Sequence, residues 1–401
     1  MANTIKQKRG TSDPGASDLV VGELAINTTD GGVFTKTDGG TVVEVGSGGG
    51  GGASAIDDLS DAVTYDSGLS IGLGTGALAS DDGTDNNNTA VGYQALNATT
   101  SGSKNVAAGY QALKTNTTGT GNIALGSQAL FTCDSGGNNI AMGDTALYAI
   151  TTGSTNFAAG EAAGQSLTTG SGNFCMGRLA GRNITASSSN LCIGNQAGDG
   201  ISGAFSSFNV AVGSDALSAV LTTGLSTAVG ANALVKSTGQ GNTGIGYDAG
   251  NTTTSGANIT CIGHDAEASS ATVSNEVTLG DGNVATLRCN TQTISSLSDA
   301  RDKTDVQELP EGLDFISKLN PVKFQWQTRD GNGKDGTYEA GFIAQELQSA
   351  QQDANADYLS LVMDENPDRL EASYGKLVPM LVKAIQELKS EVEQLKANAN
   401  S

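Results

Sequence analysis

Ser298 and Lys303 lie five residues apart in the sequence. A serine and a lysine at this spacing could together carry out covalent chemistry. A serine hydroxyl becomes a nucleophile when a neighbouring base takes its proton, and a lysine partly removed from water can be that base. Attack by Ser298 Oγ on its own carbonyl carbon would shift the acyl group from nitrogen to oxygen. Water would then hydrolyse the ester, leave Ser298 as a new carboxyl terminus and release a fragment beginning at Asp299. Taken alone, this spacing is more typical of a solvated loop.

The other reactive side chains point to packing more than to chemistry. Cys175, Cys192 and Cys261 each stand two residues before a glycine of a regular repeat, a slot that alanine fills in other repeats. We therefore expect small buried hydrophobic groups there, not a disulfide framework or a metal site. His264, the single histidine, follows a repeat glycine and is expected at the surface. The sequence predicts no metal and no cofactor.

The carboxylates of the repeat region decide whether the sequence could predict an enzyme that cleaves polysaccharides. Glycoside hydrolysis needs two carboxyl groups facing each other across a groove. The repeats carry their acids singly, at variable corner positions, where solvation is the expected role. A groove between chains could pair acids of different subunits, so a polysaccharide depolymerase stays open as an alternative. These acids are Asp144, Glu161, Asp199, Asp215 and Asp248.

A repeat of seventeen residues must form the elements that hold these side chains. A fixed period of this size indicates stacked copies of one unit, and its constant phase excludes random low-complexity sequence. One step of nineteen residues and one of sixteen interrupt the series. The repeat glycines are Gly92, Gly109, Gly126, Gly143, Gly160, Gly177, Gly194, Gly213, Gly230, Gly246, Gly263 and Gly280.

Each unit reads Asn, apolar, small, apolar, Gly, as in NIALG at 122–126. This alternation predicts a short strand, and the glycine permits a corner with positive φ. We expect the bulky residues to form a narrow core inside each chain, and the Asn and Ala face to approach another chain. Because so thin a coil would not hold itself together alone, we expect a homotrimer. Its asparagines should form a hydrogen-bonded ladder: Asn88, Asn105, Asn122, Asn139, Asn156, Asn173, Asn190, Asn209 and Asn242.

Composition restricts the partners. The net charge is −21 and no segment is basic, so nucleic acids and anionic membrane surfaces are poor partners. No apolar run approaches the roughly 20 residues of a membrane span. The first residues, MANTIKQKRGTSD, lack the apolar stretch of a secretory signal. We expect synthesis in a cytosol, no membrane insertion and no turnover enzyme.

The amino-terminal residues 1–45 contain strand-like runs at 20–26, 32–36 and 41–45 between turn clusters. Residues 46–68, with the run GSGGGGGAS, are expected to be a flexible linker. The strings RGT at 9–11 and GELAIN at 22–27, followed by Asp30, Gly31 and Phe34, resemble a short module at the amino termini of tailed-phage fibres. The resemblance implies attachment to the virion, at the tail, the baseplate or an adaptor protein. A small β meander without this role is the alternative.

The composition changes near residue 291. Helical spacing at Leu313, Ile316 and Leu319 is followed by an extended VKFQW, and GFIAQEL at 341–347 opens a second helix. The last helix has an a/d heptad seam that predicts a coiled coil, with packing on its own domain as the alternative. The seam residues are Val378, Leu381, Ile385, Leu388, Val392 and Leu395.

The carboxyl-terminal segment closely resembles the endosialidase-type intramolecular chaperone domain of phage tailspikes and fibres. The resemblance rests on Ser298–Asp299, Arg301, Lys303, LNPVKFQW, GFIAQEL and YGKLVPMLVKAIQELK. It implies a domain that drives trimer assembly and then cuts itself off at the Ser298–Asp299 bond, with Ser298 and Lys303 as the catalytic pair. Asp299, Arg301 and Asp302 are candidates only as ordering groups.

The repeats resemble the heads of trimeric autotransporter adhesins, in a longer unit, and the shafts of phage fibres. The fold expected is mainly β, with a small β module at 1–45, a linker at 46–68, a trimeric β-roll or β-helix rod at 69–290, and an α+β chaperone at 291–401 ending in a trimeric coiled coil. The function expected is a homotrimeric tail fibre in the virion that attaches to a host receptor, expected to be a glycan, and performs one self-cleavage. A bacterial trimeric surface adhesin is a further alternative.

Overall fold

The computed structural model of the chain describes residues 7–10, 14–15, 17, 19, 24–27, 33–36, 41–44, 62–65, 70–82, 86–202, 206–219, 224–284, 286–288, 290, 298–327, 336–364 and 366–400. The chain forms two compact units. The first comprises Met1–Asn195 with Ser202–Ala204, and the second comprises Gln196–Ile201 with Phe205–Ser401.

The first unit begins with a four-stranded sheet in the order β1-β2-β3-β4. The strand β1 runs parallel to β2, and the other neighbours are antiparallel. Three of these strands lie in the predicted strand-like runs or overlap them, and the Gly-rich run at 46–54 lies outside the described residues. The strands are β1 (Gln7–Gly10), β2 (Leu24–Asn27), β3 (Val33–Lys36) and β4 (Val42–Glu44).

A ladder of short strands follows, one strand for each seventeen-residue unit. It starts with an antiparallel pair, β5 (Ala62–Tyr65) and β6 (Ser70–Leu73), and β5 falls within the range expected as linker. From β6 onward the pairs are parallel and in register, as in β9 and β10, where Ala124 stands opposite Ala141. The remaining strands of the first unit are β7 (Thr89–Val91), β8 (Val106–Ala108), β9 (Ile123–Leu125), β10 (Ile140–Met142), β11 (Phe157–Ala159), β12 (Phe174–Met176) and β13 (Leu191–Ile193).

The second unit repeats the arrangement with five strands, again parallel and in register. The expected mainly β fold of stacked coils is confirmed as a parallel β-solenoid of about twelve turns. These strands are β14 (Val210–Val212), β15 (Thr227–Val229), β16 (Thr243–Ile245), β17 (Thr260–Ile262) and β18 (Val277–Leu279).

The two faces of the strands are reversed relative to the expectation. The small middle residues, such as Ala124 and Ala141, are fully buried, whereas Leu125 and Met142 beside them are exposed by 39% and 36%. A seventeen-residue coil encloses a narrow interior, and the turn after the glycine already fills it with a residue such as Leu130, which is fully buried. A methyl or thiol group fits on the strand side of that interior. The expectation that the bulky strand residues form the core is therefore wrong.

The interior keeps its volume from coil to coil. From Gly92 to Gly246, the fourth residue after each repeat glycine has a positive φ and is either leucine or glycine, as in Leu113 (φ 50°) and Gly164 (φ 58°). In three of the four coils where it is glycine, a large residue three positions later fills the space, as Leu167 does after Gly164. A Cβ on Gly164 would also come within 2.8 Å of Leu147 Cδ2, which belongs to the preceding coil.

The asparagine ladder is confirmed, and it lies inside the coils. Asn139 Oδ1 accepts the backbone N–H of Asn156 at 3.0 Å, and Asn139 Nδ2 donates to Gly153 O at 2.9 Å. The same pair of bonds recurs one coil earlier, where Asn122 accepts from Asn139 N at 2.9 Å and donates to Gly136 O at 2.8 Å. Each asparagine thus joins its neighbouring coil and closes the turn of its own.

The second unit also contains the carboxyl-terminal domain. Its core is formed by Phe315, Leu361, Leu377 and Met380. The first helix is shorter than the apolar spacing predicts, because 3-10 hydrogen bonds tighten its end after Ile316. The elements are α1 (Leu313–Ile316), β19 (Val322–Gln325), β20 (Tyr338–Gly341), α2 (Ala344–Asp353), β21 (Val362–Met363), β22 (Glu371–Ala372) and α3 (Val378–Ala399), with 3-10 helices at Ala300–Asp302, Asp357–Leu359 and Tyr374–Leu377.

The helix α3 has features of both alternatives that the sequence left open, a coiled coil and a helix packed on its own domain. It buries Met380 and Ala384 against its own domain. The six predicted seam residues lie on another face and are exposed. The helix therefore packs on its domain and still carries an unpartnered apolar seam in the single chain.

Candidate cleavage site

A single 3-10 turn positions the two residues that the sequence singles out. Asp299 caps this turn, because its Oδ1 accepts the backbone N–H of Arg301 at 2.9 Å. Lys303 N then donates to Ala300 O at 3.3 Å and ends the turn in extended backbone. A cap followed by one tight turn brings residue 303 back to residue 298.

The side chains of Ser298 and Lys303 are in direct contact. Lys303 Nζ lies 2.6 Å from Ser298 Oγ and 3.5 Å from the carbonyl oxygen of the same residue. The amine therefore reaches both the hydroxyl that would attack and the carbonyl that would be attacked. This is the contact that proton transfer from serine to lysine requires.

Asp299 and Arg301 form the frame of the turn. Arg301 Nη2 lies 2.6 Å from Asp299 Oδ2, and Arg301 Nε donates to both carboxylate oxygens at 3.1 Å. These bonds from Arg301 hold the pKa of the Asp299 carboxyl below its ordinary value. Because this pKa is lowered, the charged cap is present above the ordinary pKa and is lost only as the pH falls through the lowered one.

Every residue from Ser298 to Lys303 is exposed in the single chain. Desolvation is the effect that most readily makes a lysine act as a base near neutral pH. Nothing in the described part of the same chain covers this pair. In the described single chain the pair is therefore open to solvent.

The segment after the turn is held on α3. Glu387 Oε2 accepts the backbone N–H of Leu313 at 2.7 Å, at the start of α1. Lys383, one turn earlier on α3, binds Glu308, and this contact raises the pKa of Lys383 and lowers that of Glu308. Sequence reasoning missed these contacts. Their only signal is the (i, i+4) spacing of Lys383 and Glu387 beside the apolar seam.

A second polar contact fixes the same segment. The Tyr358 hydroxyl donates a hydrogen bond to the Glu311 carboxylate. The tyrosine is largely exposed, but partial desolvation of its hydroxyl, followed by the contact with Glu311, raises the pKa of Tyr358 to about 12. The hydroxyl therefore stays protonated and keeps donating over the whole physiological range.

Comparison with known families identifies this region. Residues 298–355 match the model of the peptidase S74 family, described as chaperone of endosialidase. The carboxyl-terminal domain is an endosialidase-type chaperone. The match begins at Ser298, and self-cleaving chaperone activity follows from this family. No curated protein and no solved structure matches the chain.

The other predicted residues belong to the solenoid coils. Cys175 and Cys192 stand opposite each other in the buried slot of β12 and β13, and Cys261 is buried in the same slot of β17. Burial raises the pKa of Cys261 to about 11. His264 is exposed, with Nδ1 3.1 Å from Asp265 Oδ2, and its ring stacks on Tyr247. The structural expectations for these cysteines and this histidine are confirmed.

The acids of the repeats have individual surroundings. Glu161 pairs with Arg178 of the next coil at 3.3 Å. Within the described ranges, no three His, Cys, Asp or Glu side chains converge as metal ligands would. Among the described helices, none combines the length and apolar composition that a bilayer crossing needs.

Proposed function

We propose that this chain is the fibre protein of a tailed phage, in which the chaperone domain assembles three copies and then cuts itself off at the Ser298–Asp299 bond. The observation that carries the proposal is the 2.6 Å contact between Lys303 Nζ and Ser298 Oγ, at the first residue of the chaperone match. A β-solenoid joined to an endosialidase-type chaperone fits a tail-fibre or tailspike type of protein.

The proposed cleavage balances without a cofactor. Lys303 Nζ takes the proton of Ser298 Oγ, and this oxygen attacks the carbonyl carbon of Ser298. The bond from that carbon to the nitrogen of Asp299 breaks, and the lysine ammonium returns the proton to the leaving amine. The ester formed within one residue is a four-membered lactone, and water opens this strained ring to the free carboxylate of Ser298.

Assembly would activate the pair. Ser298 and Lys303 are exposed in the single chain, so a neighbouring chain is needed to exclude water around the lysine. Cleavage would then follow assembly and would leave a rod that no longer carries its assembly domain. Such a rod would be stable by the slowness of its unfolding, because it could not refold by the same route.

The proposal that three chains assemble is based on the family resemblance. The seam of α3 has Val378, Ile385 and Val392 at a positions and leucine at d positions, a pattern that in isolation favours two strands. The proposal of three copies follows the chaperone resemblance in preference to this short seam. Measurement of the native mass decides the count.

We place virion attachment at residues 1–45 and receptor contact on the rod. The amino-terminal resemblance supports the first assignment, and the four-stranded sheet β1–β4 is of a size that suits a small docking module. We propose that the receptor is a host surface glycan and that the fibre acts in the virion after synthesis in the host cytosol.

The test of the cleavage is the mass of the purified chain under denaturing conditions. We expect the wild-type chain as two fragments, one ending at Ser298 and one beginning at Asp299, and Lys303→Ala as a single uncut chain. Lys318→Ala removes an exposed lysine of the same domain and should be cut like wild type. An intact wild-type trimer, or a Lys303→Ala chain cut at the same bond, would contradict the proposal.

A further inference from the structure

The outward side of the solenoid strands is an uncharged and mostly apolar surface, with threonine on four of the strands, and much of it is exposed in the described chain. We define the outer strand face, in each unit by itself, as the first and third residues of its strands, β7 to β13 in the first unit and β14 to β18 in the second. On β9 and β10 these residues are Ile123, Leu125, Ile140 and Met142, and the leucine and methionine are among the exposed large hydrophobic residues of the chain. Further exposed members are Val91, Val106, Met176, Val229, Ile245, Ile262, Val277 and Leu279.

The outer strand face carries no charge in a chain whose net charge is −21. None of its positions on the twelve strands is Asp, Glu, Lys or Arg. The charged residues of the coils stand elsewhere, and several of them directly follow a repeat glycine, as Asp144, Glu161 and Arg178 do. Long exposed apolar surfaces of this kind mark contacts with another molecule, because surfaces that stay in water are interrupted by charges.

The spacing of this face selects its partner. Neighbouring strands lie roughly 4.8 Å apart, and parallel in-register pairing repeats the same two outward positions at that spacing. Phe157 and Phe174 show the regularity, since their rings stack at 4.4 Å with planes 9° apart. A partner that fits coil after coil must have the same spacing, and a second copy of this chain has it.

We propose that copies of this chain meet along the outer strand face, with each coil against the same coil of its neighbour. This inference rests on the proposed homotrimer and names the surface that forms it. The Asn and Ala side of the strands, which the sequence suggested as the interface, is buried inside the coils and unavailable. The exposed seam of α3 is a second unpartnered apolar surface that copies of the same chain would cover.

Two glutamates in the middle of the face test the proposal. Leu125→Glu with Met142→Glu would bury charges between chains, so we expect the native mass to fall from that of the trimer to that of the single chain. Thr118→Glu with Ser135→Glu adds the same charges at exposed turn positions of the same coils and should leave the trimer intact. A double variant Leu125→Glu, Met142→Glu that remains trimeric would overturn the proposal.

Cross-linking tests the same surface without disturbing the fold by charge. In a Cys289→Ser background, Leu125→Cys should form cross-links between chains with a short thiol-specific reagent, whereas Ser135→Cys should not. The four other cysteines are buried and protected. Equal cross-linking at both positions would overturn the proposed face. A monomeric wild-type chain would instead refute the homotrimer itself, so the two failures are distinguishable.

Discussion

At the scale of single residues, the geometry of the cleavage site depends on Asp299 as much as on Ser298 and Lys303. The family resemblance predicts which serine and lysine react, and their spacing predicts nothing alone. The structure shows why two side chains five residues apart in the sequence are in contact. The capped 3-10 turn brings Lys303 Nζ to 2.6 Å from Ser298 Oγ. The cap could not be predicted, because Asp302 and Arg301 were equally good ordering groups in the sequence.

Removing the cap should slow self-cleavage while leaving the catalytic pair present. Asp299→Ala loses the acceptor for Arg301 N and with it the cap of the turn, so we expect the cleavage rate to fall roughly fivefold to tenfold. Asp299→Asn keeps a capping oxygen and should cleave faster than the alanine variant. The measurement is the fraction of cut chain over time by denaturing electrophoresis.

Asp302→Ala is the matched control, since it removes an exposed acid from the same turn. It should cleave at the wild-type rate. If Asp302→Ala slows cleavage as much as Asp299→Ala does, a general effect of charge at this turn explains the result better than the cap.

At the scale of elements, the repeat glycines show where the sequence was informative. Positive φ at the corner was expected and occurs along the solenoid, with Gly143 at 139°. A Cβ on Gly143 would lie 2.5 Å from Gly160 O, so this corner glycine also admits the backbone of the next coil, as Gly109 and Gly126 do. The alternation of the strand, in contrast, defines two faces without saying which is inside. That choice is made by the interior volume that residues such as Leu130 occupy.

A single methyl group at the corner should destabilise the solenoid. In Gly143→Ala the backbone of two coils must separate, and we expect a loss of about 2–4 kcal/mol in the free energy of unfolding. Gly241→Ala is the control, because its φ is also positive, at 70°, but nothing lies within 4 Å of the added Cβ. It should cost only about 1 kcal/mol. Equal losses in thermal or denaturant unfolding would contradict the close approach of the coils.

At the scale of the whole molecule, one chain presents two apolar surfaces and a proposed cleavage site that is exposed to water. The outer strand face, the α3 seam and the exposed Ser298–Lys303 pair all lack a covering partner within the described chain. Chains that associate would cover the apolar surfaces and could remove water from the lysine in the same event. The sequence indicated association through its heptads and thin coils, but it suggested the wrong face, since interior and exterior are fixed only when the coil closes.

The central claim is that assembly switches on self-cleavage, and the dependence of the cleavage rate on chain concentration tests it most directly. Freshly refolded full-length chain would be diluted over a hundredfold range, with native mass and cut fraction followed together. We predict that cutting lags behind trimer formation, that its initial rate rises more steeply than in proportion to concentration, and that cut chains appear only in trimers. A first-order rate that is the same at every concentration, with cut single chains, would contradict the account.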